Sequence, residues 1–238
     1  MKKTILVDPG HGLYYSTAKK VYVFQRQEIN GVIEDLLTIE TGSVLIQKLL
    51  LAGYNVLCTR HYALKTVMSK ETKKPEYFDG AYLFLSEDLP KKIPIDFKLN
   101  DMHDDNYKKD VNCRFIYANK INKTNPISLL LSIHYNAGDP STNGTEVWYQ
   151  HGHENRKKFA TLLSNMTARA CGFKNRGAKG EDLAYAALRV PDCLSVIWEI
   201  GFFTSVSDSF KMKQNGFYER VAQAAVDSII FADKNGLL

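Results

Sequence analysis

Three short apolar runs in this chain each end in a side chain that can bind a metal ion or transfer a proton. They lie within Thr4–His11, Leu129–His134 and Leu194–Glu199. Such runs, bounded by turn residues, are typical of buried strands in a sheet that is covered on both faces. Because the carboxyl ends of parallel strands share one sheet edge, we expect the two histidines and the glutamate to meet there. The runs therefore favour an α/β fold with a site at that edge.

The first run ends in a tight turn with the sequence Asp8-Pro9-Gly10-His11-Gly12. The proline keeps Asp8 out of the helical region, and the two glycines let the backbone bend closely around His11. A neutral imidazole held by such a turn is a good metal ligand, and Asp8 is predicted to be close enough to orient it. The alternative is a strand-ending turn whose histidine faces solvent, and the recurrence of the pattern in the other two runs favours the metal site.

A helix and a strand follow the first run and complete a βαβ unit. Apolar residues recur at helical spacing over Ile39–Ala52, and Gly53 is placed to end the helix. Glu34 and Asp35 lie at its start, where acidic side chains favour the positive end of the helix dipole. The strand Tyr54–Thr59 comes next. Strand, helix and strand in this order imply parallel pairing.

The same alternation returns in the second half of the chain. Patterns of apolar residues predict a helix near 105–123, a strand over 144–149, a helix at about 153–171 and a last amphipathic helix from Tyr218 to Ile229. Between the two halves, the stretch 61–103 contains three prolines and breaks the rhythm. A structureless loop of this length is unusual, so we predict an insertion with structure of its own and a hairpin near Tyr82–Leu85. It is interpreted as a lid or a wall that recognises the substrate. The alternative is a solvent-exposed insertion without such a role.

Composition excludes some classes of protein. The net charge of +5 would help binding to an anionic surface such as a cell wall, but it falls short of a nucleic-acid-binding signature. The four cysteines are scattered without a close pair, so they are interpreted as core residues rather than zinc ligands or disulfides. The first strand begins almost at Met1, and no run reaches transmembrane length. The expectation is a soluble chain made in the cytoplasm without a signal peptide.

A catalytic zinc site needs three protein ligands and one open position. His11 and His134 supply two nitrogens, and Glu34 is predicted as the third ligand because it starts a helix directly after the loop that leaves His11. Glu28 in that loop and Glu40 on another face of the helix remain alternatives.

The remaining acidic residue of the three runs, Glu199, is predicted to be the general base. A water activated by a metal needs a nearby carboxylate to take its proton, and burial at a strand end would raise the pKa of that carboxyl group. The alternative is a structural carboxylate that caps the following turn. The two histidines elsewhere in the pattern favour the catalytic interpretation.

These residues, in this order, resemble the zinc-dependent N-acetylmuramoyl-L-alanine amidases of the bacterial cell-wall and phage-lysin type. The segments that carry the resemblance are Asp8–Gly12, Glu34, Gly53–Val56, Thr59-Arg60, Arg114, Ala118-Asn119, Ser132–Ala137, Gly144–Val147 and Glu199–Phe202. The resemblance implies that His11, Glu34 and His134 bind Zn²⁺ and that Glu199 is catalytic. With the βα alternation, it implies one α/β domain over 1–238, with a mainly parallel sheet of about six strands and helices on both faces.

Further site residues are implied less directly. Asn136 and Arg189 resemble family positions near the substrate, although a surface salt bridge is an equal alternative for Arg189. His151 and His153 follow a strand and either line the cleft or lie in a solvated turn, which is the favoured interpretation.

The function implied by the resemblance is hydrolysis of the amide that joins N-acetylmuramic acid to L-alanine in peptidoglycan, with zinc as the cofactor. Two alternatives remain: a zinc peptidase that cuts within the stem peptide, and a peptidoglycan-binding protein without turnover. Predicted partners are peptidoglycan alone, with no nucleic acid and no membrane, and the protein is predicted to be a monomer. The expected lack of a signal peptide favours a phage or prophage lysin that acts on the cell wall.

Overall fold

The structure is a computed structural model that describes residues 2–16, 21–60, 67–68, 75–76, 95–100, 105–182, 186–189 and 193–238. Its strands are β1 (Thr4–Pro9), β2 (Leu13–Ser16), β3 (Val21–Phe24), β4 (Asn55–Cys58), β5 (Val67–Met68), β6 (Pro75–Glu76), β7 (Ile95–Asn100), β8 (Leu129–Asn136), β9 (Thr145–Gln150), β10 (Asn175–Glu181) and β11 (Leu194–Phe202). Its helices are α1 (Glu34–Leu51), α2 (Asp105–Thr124), α3 (Glu154–Cys171), α4 (Val206–Met212) and α5 (Phe217–Lys234), with a 3-10 turn at Ala186–Arg189.

Six strands form the main sheet, in the order β10-β9-β11-β8-β1-β4. All neighbouring pairs are parallel except β9 with β11. Alternate residues of the central strands are buried on opposite faces: Ile5 and Val7 join the larger core cluster, whereas Leu6 joins the smaller one. Helices α1, α3 and α5 contribute to the larger cluster and α2 to the smaller. The predicted mainly parallel sheet with helices on both faces is confirmed.

Helix α1 packs directly against the first strand. Its N-terminal turn carries Glu34 and Asp35, and Gly53 follows its C-terminus with φ +91°. Gly42 faces Pro9, and a Cβ at this glycine would lie 2.9 Å from the proline Cγ. The close approach holds the middle of α1 against the end of β1, next to the site.

Part of the predicted insertion 61–103 forms strands. β7 pairs with β3 in parallel, and β2 completes this three-stranded sheet, while β5 and β6 form an antiparallel pair. The predicted hairpin near Tyr82–Leu85 lies outside the described residues.

The sequence did not predict every element of the domain, and β10 and α4 are examples. β10 has the sequence NRGAKGE, which contains two glycines and no alternation of large apolar residues, so it carries no strand signal. The short helix α4 follows β11 after a three-residue turn. Over the described ranges, no helix combines the length and the hydrophobicity that crossing a membrane would require.

Candidate metal centre

The predicted metal-binding residues meet at the carboxyl edge of the central strands. His11 lies just beyond β1, His134 lies in β8, and Glu34 is the first residue of α1. The Nε2 atom of His11 is 3.2 Å and the Nδ1 atom of His134 is 3.3 Å from the same oxygen, Oε1 of Glu34. One ligand atom from each of the three residues lies within 4.8 Å of the others.

This donor set fits a zinc ion. Two imidazole nitrogens and one carboxylate oxygen are a ligand set of catalytic zinc sites, which leave a further position for water or substrate. The two imidazole rings are edge to face, with centroids 4.9 Å apart, so their nitrogens converge on the carboxylate from different directions. Among the described residues, Glu28 and Glu40 are not part of a metal-binding group.

The backbone at His11 adopts a conformation that is unusual for a residue with a side chain. Its φ is +56°, and Gly12 follows with φ +117°. Sparsely populated conformations of this kind persist where the surroundings fix them, often at functional sites. Gly10 allows the ring of His134 to lie against the backbone, because a Cβ at Gly10 would overlap that ring. The turn thus places both imidazoles side by side.

Gln25 is the residue that orients His11. Its Oε1 lies 3.0 Å from Nδ1 of His11, which leaves Nε2 to face Glu34. An outer partner of this kind fixes the tautomer and the ring orientation of a metal-binding histidine. Gln25 itself is held because its backbone N–H donates to Oδ1 of Asp35 at 2.8 Å. The same oxygen accepts the N–H of Gly12 at 2.8 Å, so Asp35 joins the His11 turn to the Gln25 segment.

The prediction that Asp8 orients His11 is wrong. Asp8 is fully buried and accepts hydrogen bonds from Thr59 Oγ1 and Ser132 Oγ, both at 2.6 Å. Arg114 donates to both of its carboxylate oxygens at 2.8 and 2.9 Å. Burial would raise the pKa of Asp8, but Arg114 and these hydroxyl donors lower it below its usual value. Asp8 therefore fastens β1 to β4, β8 and α2 beneath the site.

Glu34 is a buried carboxylate that its surroundings keep ionised. Burial alone would raise its pKa, but the charges of His11 and His134 and their hydrogen bonds lower the pKa below the usual value. Its Oε1 also accepts the backbone N–H of Tyr135 at 3.1 Å, and Arg26 Nε lies 3.3 Å from Oε2. An ionised carboxylate is the form that binds a metal.

Glu199 lies in β11 beside the three predicted metal-binding residues, because its register partner on β8 is His134. Its Oε2 is buried and has no hydrogen-bond partner within the part of the chain that the structure describes. Burial raises the pKa of Glu199 well above its usual value, and the negative charges of Glu34 and Glu146 raise it further. A carboxyl group with a raised pKa and an oxygen free of other partners can take up a proton and give it back.

A cavity of about 360 Å³ contains these residues in its wall, namely His11, Glu34, His134, Asn136 and Glu199. Arg189 ends the 3-10 turn, but its side chain lies outside the described part of the structure. His151 and His153 are exposed, and His151 hydrogen-bonds to Asp182 at 2.8 Å instead of lining this cavity.

Two side chains of the site, Gln25 and Arg26, were not predicted from the sequence. Both lie in a polar segment without periodicity, and no feature of that segment marks them as neighbours of His11. The position of Glu146 near Glu199 was not predicted either, although the strand over 144–149 was. The pairing of β9 with β11 brings these two glutamates together, and the order of strands in a sheet cannot be read from a single sequence.

Loss of the Gln25 contact should weaken metal binding without abolishing it. We expect Gln25→Leu to raise the dissociation constant for zinc by about 10–100-fold, the usual effect of removing an outer partner of a ligand histidine. Competition with a chromogenic chelator measures this constant. Gln27→Leu, at an exposed position two residues away, is the matched control and should bind zinc as the wild type does. Equal affinity in all three proteins would contradict the orienting role.

Comparisons with known proteins give the following matches. A family model described as N-acetylmuramoyl-L-alanine amidase matches residues 5–230. The chain is 30% identical over 107 residues to the uncharacterized protein YqiI of Bacillus subtilis (strain 168). It is 34% identical over 105 residues to the N-acetylmuramoyl-L-alanine amidase LytC of the same organism. These alignments cover 44% and 43% of this chain, but only 51% and 21% of the two relatives.

A solved structure covers nearly the whole chain. The N-acetylmuramoyl-L-alanine amidase AmiC2 of Nostoc punctiforme aligns with a TM-score of 0.65 and 18% identity, over 98% of each chain. At this level of identity the similarity shows that the two proteins share a fold.

Proposed function

Because this chain belongs to the N-acetylmuramoyl-L-alanine amidase family, we propose that it hydrolyses the amide bond between N-acetylmuramic acid and L-alanine in peptidoglycan. The observation that carries the proposal is the convergence of His11, Glu34 and His134 beside Glu199 in one cavity. Peptidoglycan is the proposed partner, and the cell wall is the proposed place of action, in lysis or remodelling. The predicted monomeric state and the single domain over 1–238 stay predictions.

Zinc is the proposed cofactor, held by His11, Glu34 and His134. When bound, it would supply Lewis acidity that polarises the scissile carbonyl and lowers the pKa of water. The protein's own part is to keep the three ligands in place. Gln25 holds His11 and the N–H of Tyr135 holds Glu34, each through a hydrogen bond, while the ring of His134 lies against the backbone at Gly10.

Glu199 is the proposed general base and general acid. It lies next to His134 across the sheet, and its Oε2 has no partner among the described residues. In the first step its carboxylate takes a proton from the attacking water. In the second step the protonated group gives that proton to the nitrogen of L-alanine, so that a neutral amine leaves. Asn136, on the cavity wall, and Arg189 are proposed to bind the substrate.

Mass spectrometry of digested peptidoglycan tests the proposed bond. We expect free stem peptides that begin with L-alanine, together with glycan chains that have lost their peptides. The Glu199→Gln protein, purified in the same way, is the matched control for contaminating enzymes and should release almost none of these products. Fragments cut within the stem peptide would instead identify a peptidase, and binding to peptidoglycan without any product would identify a non-catalytic protein.

A further inference from the structure

A buried glutamate on the neighbouring strand lies beside the proposed base. β9 and β11 are antiparallel, and Glu146 is the register partner of Glu199. On the other side of β11, the register partner of Glu199 is His134. Directly opposed residues of neighbouring strands lie on the same face of a sheet. His134, Glu199 and Glu146 therefore form a row across β8, β11 and β9. The proposed mechanism uses His134 and Glu199 but gives no role to Glu146.

Glu146 forms an ion pair that a β-bulge makes possible. The side chain is buried, and its Oε2 accepts a hydrogen bond from Nε of Arg176 at 2.7 Å. Asn175 pairs with Thr145 and Gly177 with Glu146, so Arg176 is an extra residue in β10. Gly177 has φ +77°, a conformation that suits glycine. Bulges redirect side chains, and this one directs the guanidinium onto Glu146.

The other oxygen of Glu146 binds the amide of Asn136. Its Oε1 accepts hydrogen bonds from Nδ2 of Asn136 at 2.9 Å and from Nε1 of Trp148 at 3.2 Å. An ionised carboxylate only accepts hydrogen bonds, so Asn136 must present its NH₂ group to Glu146. The carbonyl oxygen Oδ1 is then on the opposite side of the amide. Asn136 lies two residues after His134 and lines the cavity.

We propose that Glu146 is a positioning residue that fixes the amide of Asn136 so that Oδ1 accepts an N–H group of the bound substrate. Arg176 keeps Glu146 in place for this task. The proposal rests on the proposed function, because a muramyl peptide carries amide N–H groups in both its sugar and its peptide. Without Glu146, the amide of Asn136 could turn over and present a donor where the substrate also has a donor.

A double-mutant cycle on a soluble muramyl peptide tests this role. The four zinc-loaded proteins are the wild type, Glu146→Gln, Asn136→Ala and the double variant. Each single substitution should raise KM about tenfold and leave kcat nearly unchanged, because one hydrogen bond to the substrate is lost in ground and transition states alike. Glutamine keeps the shape of Glu146 but can donate as well as accept, so it no longer dictates the orientation of Asn136.

Non-additivity is the decisive result. If Glu146 acts through Asn136, the double variant should be no worse than Asn136→Ala alone. Additive effects would overturn the proposal, as would a fall in kcat at constant KM that tracks a loss of folded protein in thermal unfolding. Glu154→Gln makes the same chemical change at an exposed position on α3 and should leave KM unchanged.

A second pair of variants covers the case in which Glu146→Gln does not fold. Arg176→Gln removes the cation that holds Glu146, whereas Arg176→Lys keeps a cation there. We expect KM to rise with the glutamine and to stay near the wild-type value with the lysine. The same KM in both variants would contradict the proposal.

Calorimetry separates this proposal from the proposed function. The binding of the same muramyl peptide to all four proteins of the cycle gives a second set of coupling energies. A wild-type protein that binds the peptide but releases no product would contradict the proposed amidase activity alone, and the binding cycle would still decide the role of Glu146. A wild-type protein that does not bind the peptide would contradict both.

Discussion

Replacing Glu199 with glutamine should reduce turnover of peptidoglycan by roughly 10²–10⁴-fold, the usual contribution of a positioned acid–base group. Glutamine has nearly the same shape as glutamate, but it cannot take a proton from the attacking water or return one to the leaving amine. Zinc content should not change, because the three proposed ligands lie on other elements. Binding of intact peptidoglycan should also persist, since the loss falls on the transition state.

The measurements are the release of stem peptides, the zinc content and the sedimentation of the protein with intact cell walls. Glu219→Gln, an exposed glutamate in the first turn of α5, is the matched control and should keep wild-type activity. Loss of zinc from the Glu199→Gln protein would make Glu199 a ligand and Glu34 the candidate base. Full activity with full zinc would place the proton transfer elsewhere.

The pH dependence of this group follows from its surroundings. Burial, with the charges of Glu34 and Glu146 beside it, holds the pKa of Glu199 above its usual value. Its base form is therefore reached only at higher pH than that of an exposed glutamate. A positive charge brought into the cavity lowers this pKa and makes the carboxylate available, as Arg26 already does in part.

The sheet and the strand ends could be predicted because apolar patterning dominates them. β1, β8 and β11 are almost wholly buried and most of their residues are apolar, although β8 and β11 continue two and three residues past the predicted ends at His134 and Glu199. The common location of the site residues could be predicted as well, because neighbouring parallel strands end at the same edge of the sheet. Glu34 does lie beside His11 and His134 in the structure, since a residue that starts a helix after a buried strand is carried to that edge.

The error at Asp8 has a simple physical reason. Residues two apart in a strand lie on the same face, so Asp8 shares the face of Leu6, which packs in the cluster with α2. That face brings Asp8 to Arg114 of α2 and to Ser132, its register partner on β8. His11 lies beyond the turn, where its ring contacts Glu34 and Gln25 instead. Nearness in sequence was therefore a poor guide to nearness of side chains.

The residues that orient the site were beyond prediction because tertiary contacts alone bring them there. Gln25 reaches His11 only because Asp35 binds the backbone N–H groups of both Gly12 and Gln25. Arg176 reaches Glu146 only because a bulge interrupts β10. Neither contact leaves a periodic or compositional signal, whereas the buried strands do.

Removing any one of the three proposed ligands should abolish both zinc binding and activity. We expect His11→Ala, Glu34→Ala and His134→Ala to weaken zinc binding by more than the roughly 10–100-fold that the loss of an outer partner costs. Two remaining ligands make a poor site, and the proposed reaction needs the metal. Elemental analysis of the purified proteins and chelator competition measure the loss, and activity on cell walls should fall with it. Thermal unfolding checks that each variant is folded.

Glu28→Ala and Glu40→Ala are the matched controls, because both glutamates flank the same helix start and were alternatives for the third ligand. Neither belongs to the metal-binding group among the described residues, so both variants should keep zinc and activity. Zinc retained by Glu34→Ala but lost from either control would move the third ligand away from the start of α1. Zinc retained by both histidine variants would show that the metal binds elsewhere. Zinc should be lost from all three ligand variants and from neither control variant. That result matches a site in which one oxygen of Glu34 lies 3.2 and 3.3 Å from the two imidazoles.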